Sequence, residues 1–151
     1  MQTLLSAKDR QSIVDRIGRL TPADRRRWGK MQVGQMICHL TDSYHIALEK
    51  TDVSTATGPL RRSIVKWLAL KSPTRWPKGV PTRPEIEQGA GGTPPTDFES
   101  DRARLLAIFE RFCAATPTEE CPHPIFGALT NEEWMRWGWL HADHHLRQFG
   151  R

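Results

Sequence analysis

TNEEWMRWGWLHADHHLRQFG, residues 130–150, is the stretch whose reading decides the fold. Thr130 followed three residues later by Glu133 is a capping box, in which a hydroxyl and a carboxylate satisfy two otherwise unpaired amides at a helix start. The helix it opens carries His141 and His145 four residues apart. At about 100° per residue such a pair differs by only about 40° around the axis, so both imidazoles can reach one ion. Trp134 and Trp137 fall on the same side as His141 and give that face an apolar wall. The i, i+3 pair His141/His144 also brings two donors together, and spacing alone leaves both pairings open.

Working outward, the same 3.6-residue period recurs through the chain. Ser6 with Asp9 resembles a capping box, and Leu4, Ile13, Ile17 and Leu20 follow at helical spacing up to Thr21-Pro22. Thr21-Pro22-Ala23-Asp24 repeats the start signal for a short basic turn ending near Trp28-Gly29. Met36, Ile37, Leu40, Tyr44, Ala47 and Leu48 predict a second helix over 33–49, with His39 among them. A third is predicted over 59–71, where Ile64, Val65, Trp67 and Leu68 leave most of the surface apolar. Thr96-Asp97-Phe98-Glu99 reads as another capping box, and Phe98, Leu105, Leu106, Phe109 and Phe112 carry a fourth helix to about Ala115.

Residues 72–95 hold six of the eleven prolines and four glycines, which excludes a regular helix or a central strand there. Long loops in compact domains are usually functional covers or disordered connectors. Trp76, Val80 and Ile86 point to packing over the mouth of a site. No alternation of apolar and polar residues suggests a strand. The expectation is an all-α four-helix bundle, one domain over 1–151, with a long Pro/Gly-rich crossover loop.

Composition narrows the classes. A 38% apolar chain of 151 residues can bury a real core. The N-terminal MQTLLSAKDR lacks signal-peptide features, and no apolar run approaches bilayer-spanning length, so a soluble, cytoplasmic protein with no membrane partner is expected. Cys38, Cys113 and Cys121 lack CxxC spacing, which argues against both a disulfide framework and a thiolate zinc knuckle; Cys121, in a loop, is the candidate reactive thiol. The net charge of +5 is scattered in short groups such as Arg25-Arg26-Arg27 and Arg61-Arg62, without an aromatic-interleaved stripe. This is a solvated basic surface rather than a nucleic-acid footprint.

In helical bundles, metal sites are built from inward side chains on facing helices, so His39 is the residue to complete His141 and His145. His45 lies about 240° from His39 around the helix and should face elsewhere. His123, in a loop between prolines, is left out of the set. Three imidazoles with open positions would make a catalytic rather than a sealed site. Ala142 stands where zinc proteases of the HExxH type carry their glutamate, which excludes that chemistry. Asp42, one turn beyond His39, and Gln148, three residues beyond His145, are placed to orient an imidazole or a bound water. Arg147 reads as an exposed helix-end arginine, with a substrate carboxylate as its other use.

With these motifs in place, the chain resembles the DinB/YfiT-like superfamily. His39 within MICHLTDSYH matches the ligand on that family's second helix, and HADHHLRQFG places His141 and His145 on its terminal HxxxH pair. Where many members read HRGQ after the final ligand, this chain has His145-Leu146-Arg147-Gln148. The segments RWGKM, WPKGVPT and HPIFGALTNEEW are similar to a branch known only as domains of unknown function. The resemblance implies a four-helix bundle binding a divalent metal through His39, His141 and His145, zinc or nickel foremost. His144, Asp42, Gln148, Trp134 and Trp137 would surround it.

Characterised relatives include thiol-dependent S-transferases and a mycothiol-dependent isomerase. The resemblance therefore implies a metal-dependent transferase or hydrolase acting on a small-molecule substrate, with a low-molecular-weight thiol as co-substrate, and a homodimer. A non-catalytic bundle that binds metal or a small ligand is the other reading.

Overall fold

A computed structural model describes residues 1–49, 59–72, 75–80, 82–115 and 122–151. Side chains at 49 and 59–63 lie outside that description, as does Cys121. Among the described residues the fold is all-helical. Five α-helices follow in order, α1 (Ala7–Gly18), α2 (Val33–Glu49), α3 (Pro59–Lys71), α4 (Phe98–Ala114) and α5 (Asn131–Gln148), with one 3₁₀ turn, Pro84–Ile86, in the loop before α4. No strand occurs among the described residues; His123 and Gly127 form an isolated bridge.

The ends of the helices are set by side chains that satisfy the first free amides. Thr130 and Glu133 make the reciprocal box at the start of α5. Ser6 caps α1 by accepting from the Asp9 amide, but the Asp9 carboxylate turns to the amide of Thr3 instead of closing a box with Ser6. At α4 the expected box is displaced by one residue: Asp97 is the cap, accepting from the Ser100 amide. Thr96 is held by Asp101, which takes its amide at 2.8 Å and its hydroxyl at 3.0 Å. Asp101 is buried, and these bonds together with Arg104 hold its carboxyl below the usual range against the opposing effect of burial. The stretch at Thr21–Asp24 is a turn and no helix. Asp24 accepts from the Thr21 amide and pairs with Arg151.

The core lies where α2, α4 and α5 meet, with α1 closing it against α4 and α5. Ile13 and Ile17 come from α1, Met36, Leu40 and Tyr44 from α2, Phe109 and Phe112 from α4, and Trp134 and Leu146 from α5. Tyr44 is wholly buried and donates its hydroxyl to the Gly138 carbonyl at 2.9 Å, which keeps a polar group satisfied in the core. Gly138 is there because nothing larger fits. A Cβ at that position would lie 2.6 Å from Phe112 Cε1 and 2.8 Å from Leu4 Cδ1.

α3 is peripheral. Its apolar stripe, read from the sequence, is largely exposed, with Ile64 at 62% and Trp67 at 61%. Leu70 is the fully buried α3 side chain among those described, and α3 packs on α5. Lys66 extends the contact through Glu133 at 2.7 Å. What α3 gains by this position is a face, with Val65, Leu68 and Ala69, turned to the cavity described next.

Candidate metal centre

His39 comes from the middle of α2, and His141 and His145 from successive turns of α5; all three are buried. The predicted juxtaposition of α2 and α5 is therefore present. His141 Nε2 lies 3.3 Å from His39 Nε2 and 3.2 Å from His145 Nε2. One ligand atom from each of the three residues lies within 4.8 Å of the others.

The far side of each outer ring explains why the Nε2 atoms are available. His39 Nδ1 meets the Ile86 carbonyl at 3.2 Å, and His145 Nδ1 meets Gln148 Oε1 at 3.1 Å. A carbonyl oxygen can only accept, so each Nδ1 carries the proton and each Nε2 turns a lone pair toward His141. The Gln148 amide cannot flip, because its Nε2 donates to the Trp28 carbonyl at 2.7 Å. Burial, the largest cause, holds His39, His141 and His145 below the ordinary imidazole range, and their mutual repulsion pushes the two α5 histidines further down. Neutral imidazoles with lone pairs converging on one point are what a cation needs.

The two spacings through His141 also fit. Bonds of about 2.0–2.1 Å in a tetrahedral arrangement put neighbouring nitrogens about 3.3–3.4 Å apart. Three buried histidines here could thus hold a metal ion. His141 Nδ1 is buried without a hydrogen-bond partner among the described residues.

His144 lies outside this trio. Its ring stands edge-on to His145 at 5.2 Å and near Trp28 and Trp76, each at 6.1 Å, so the structure gathers the i, i+4 pair rather than His141/His144. Asp42 does not orient His39. Its carboxylate takes the amide and hydroxyl of Thr93 at 2.9 and 2.7 Å and reaches the imidazole only through its charge. Trp137 lies over His141 at 5.0 Å, and Trp134 stands edge-on to Trp137 at 5.3 Å. Arg147 is paired with Asp143 at 2.8 Å, and Asp143 also binds Arg16 of α1 at 2.9 Å. Burial raises the Cys38 and Cys113 thiols to about 11, which keeps both protonated.

A family described as "Protein of unknown function (DUF1569)" matches residues 2–151. The chain belongs to the DUF1569 family. No curated protein and no solved structure matches it.

In this DUF1569 protein the histidines border a cavity of about 480 Å³. The volume falls in the range of about 300–1,000 Å³ usual for small-molecule sites. α3 forms one wall and the Pro/Gly-rich loop another, through Trp76, Val80 and Ile86. Bonds at separate places tie the loop down: Trp76 Nε1 donates to the Ala69 carbonyl at 2.9 Å, Ile86 O holds His39, and Thr93 is clamped by Asp42. No helix among the described residues is long and apolar enough to cross a membrane.

Sequence reasoning missed His123. Its ring is buried in the cavity wall, stacked on Phe126 at 4.5 Å and edge-on to Trp137 at 5.0 Å. The signal lay in HPIFG: Gly127, at φ 70°, lets the chain turn so that His123 and Gly127 exchange backbone bonds of 2.8 Å.

Burial lowers His123 to about 3, and the sign of its linkage to stability follows. Above about pH 6.5 folded and unfolded states both hold the ring neutral. Below it the unfolded chain takes up the proton first, so this group alone removes about 1.4 kcal/mol of stability per pH unit. Urea midpoints of metal-free protein should fall from pH 7.5 to 5.5, and His123→Asn should flatten that slope. A midpoint independent of pH would contradict this.

Proposed function

We propose that this protein is a divalent-metal-dependent enzyme acting on a small molecule, with zinc or nickel held by His39, His141 and His145. The observation that carries the reading is the meeting of three Nε2 atoms whose outer two lone pairs are fixed by Ile86 O and Gln148 Oε1. We take the fold to be a DinB/YfiT-like four-helix bundle of α1, α2, α4 and α5, in line with the helix order and the contacts among these four. An ion so bound supplies the positive charge that turns a thiol or a water into a nucleophile near neutral pH.

The chain's own part is to bind and orient. Trp76 and Trp137 flank His141 and exclude water from one side of the centre. The cavity accepts an apolar substrate against α3 and the loop. No carboxylate lines it among the described residues. A co-substrate that brings its own nucleophile, such as a low-molecular-weight thiol, therefore suits it better than water activated by a glutamate. The same observation is what favours the second reading, a bundle that binds metal and a small ligand without turnover.

Metal analysis of protein stripped and reloaded with zinc or nickel tests the centre, and one ion per chain is expected. Protein that takes up no stoichiometric ion would end the proposal. Turnover is tested apart, by incubating loaded protein with electrophiles and several small thiols and following metal-dependent thioether formation. Gln148→Ala should weaken metal affinity by roughly 10–100-fold, the usual effect of removing a partner that orients a ligand. Competition with a chromogenic chelator measures it, and an unchanged affinity would remove Gln148 from the site.

A further inference from the structure

His123 accepts two backbone amides at once on a single ring nitrogen. Ile125 N and Phe126 N donate to His123 Nδ1 at 3.1 and 3.2 Å. An atom that accepts cannot carry the proton of a neutral imidazole, so the proton sits on Nε2. Within the described residues Nε2–H makes no hydrogen bond, and it lies on the side of the ring away from the two amides, in a residue that borders the cavity. The ring cannot turn to find one. Phe126 stacks on it at an interplanar angle of 19°, Trp134 and Trp137 stand against it at 5.4 and 5.0 Å, and the bridge to Gly127 fixes the backbone.

A donor whose ring is fixed in a cavity wall, and which no protein group among the described residues takes up, is placed to meet an acceptor in the cavity. We propose that His123 donates Nε2–H to an oxygen of the molecule that fills this cavity. The substrate class then follows from the lining. It is a compact, mainly apolar molecule, flat enough to lie among Trp76, Trp137 and Phe126, with one carbonyl-type oxygen toward His123. This deepens the proposed function, because the same molecule would present its reactive end to the three-histidine centre. A donor that stays neutral near pH 7 is suited to polarising a carbonyl, since it lends a hydrogen bond without giving up its proton.

The test uses a matched pair of probes, acetophenone and α-methylstyrene, which share size and shape and differ in C=O against C=CH2. Binding is followed by tryptophan fluorescence, and the histidine rings by long-range 1H–15N correlation on the full chain. Wild type should show His123 with a pyridine-like Nδ1 and a protonated Nε2, whose proton resonance moves with acetophenone and not with α-methylstyrene. His123→Asn keeps an acceptor near the Nδ1 position and removes the Nε2 donor. It should weaken acetophenone by roughly 2- to 10-fold, the worth of one neutral hydrogen bond, and leave α-methylstyrene unchanged.

Equal loss of both probes would make His123 a structural residue and overturn the inference. So would an unchanged acetophenone affinity, a proton on Nδ1, or a wild type that takes up neither probe. Metal content measured on the same samples separates this from the proposed centre. Protein that binds no ion yet discriminates between the probes keeps the His123 assignment and loses the metal reading.

Discussion

Alanine in place of His141 should abolish stoichiometric metal uptake while leaving the helical content intact. His141 is the member of the trio whose Nε2 touches both others, at 3.3 and 3.2 Å, so its removal leaves His39 and His145 without a shared neighbour. The loss should exceed the roughly 10–100-fold expected when only an orienting partner is removed. The cost to folding should be modest, because His141 Nδ1 has no hydrogen-bond partner to lose among the described residues and the ring borders a cavity that already exists. Inductively coupled plasma analysis alongside circular dichroism gives both readouts. His141→Ala protein that still carries one ion per chain would mean that the ion sits elsewhere.

The second large effect concerns stability alone. Phe112→Ala should cost about 3–5 kcal/mol, as for other fully buried aromatics. Phe112 contacts Tyr44, Trp134 and Trp137 and fills the space that Gly138 leaves, so the cavity formed cannot close without moving α5 against α2. In a chain of this size, at about 2–4 °C per kcal/mol, that is a fall in Tm of roughly 6–20 °C. A shift of less than about 3 °C would show that the surrounding side chains collapse into the void.

Much of the arrangement was legible in the residue pattern because it rests on periodicity. The stripe over 33–49 and the capped run from Thr130 become α2 and α5 as read, and these two helices carry the three histidines of the candidate centre. Less was legible where two local signals compete. Thr96 and Asp97 can both cap, and the choice falls on Asp97 because Asp101 is drawn inward to Thr96.

Least legible were the bonds made by chain closure. The spacing of Asp42 from His39 suggested a partnership, but the returning loop brings Thr93 to Asp42 and Ile86 to His39. Nothing local in PEI foretells that its last carbonyl will orient a ring on another helix. His123 escaped for the same reason, since its importance depends on a turn closed by Gly127 and on aromatic neighbours from α5. The apolar stripe of α3 was legible as a stripe, but that it mostly faces outward or lines the cavity is a placement that composition does not encode.

The bond between His39 and Ile86 has a thermodynamic corollary. It couples the ordering of the 3₁₀ turn to the donor strength of one imidazole, and such coupling is reciprocal. Whatever steadies Pro84–Ile86, including a guest lodged against Ile86, sharpens the grip on a cation by the same factor by which the cation steadies the turn. Loading from one side and capture from the other would then read as positive cooperativity in calorimetry, without any larger rearrangement of the helices.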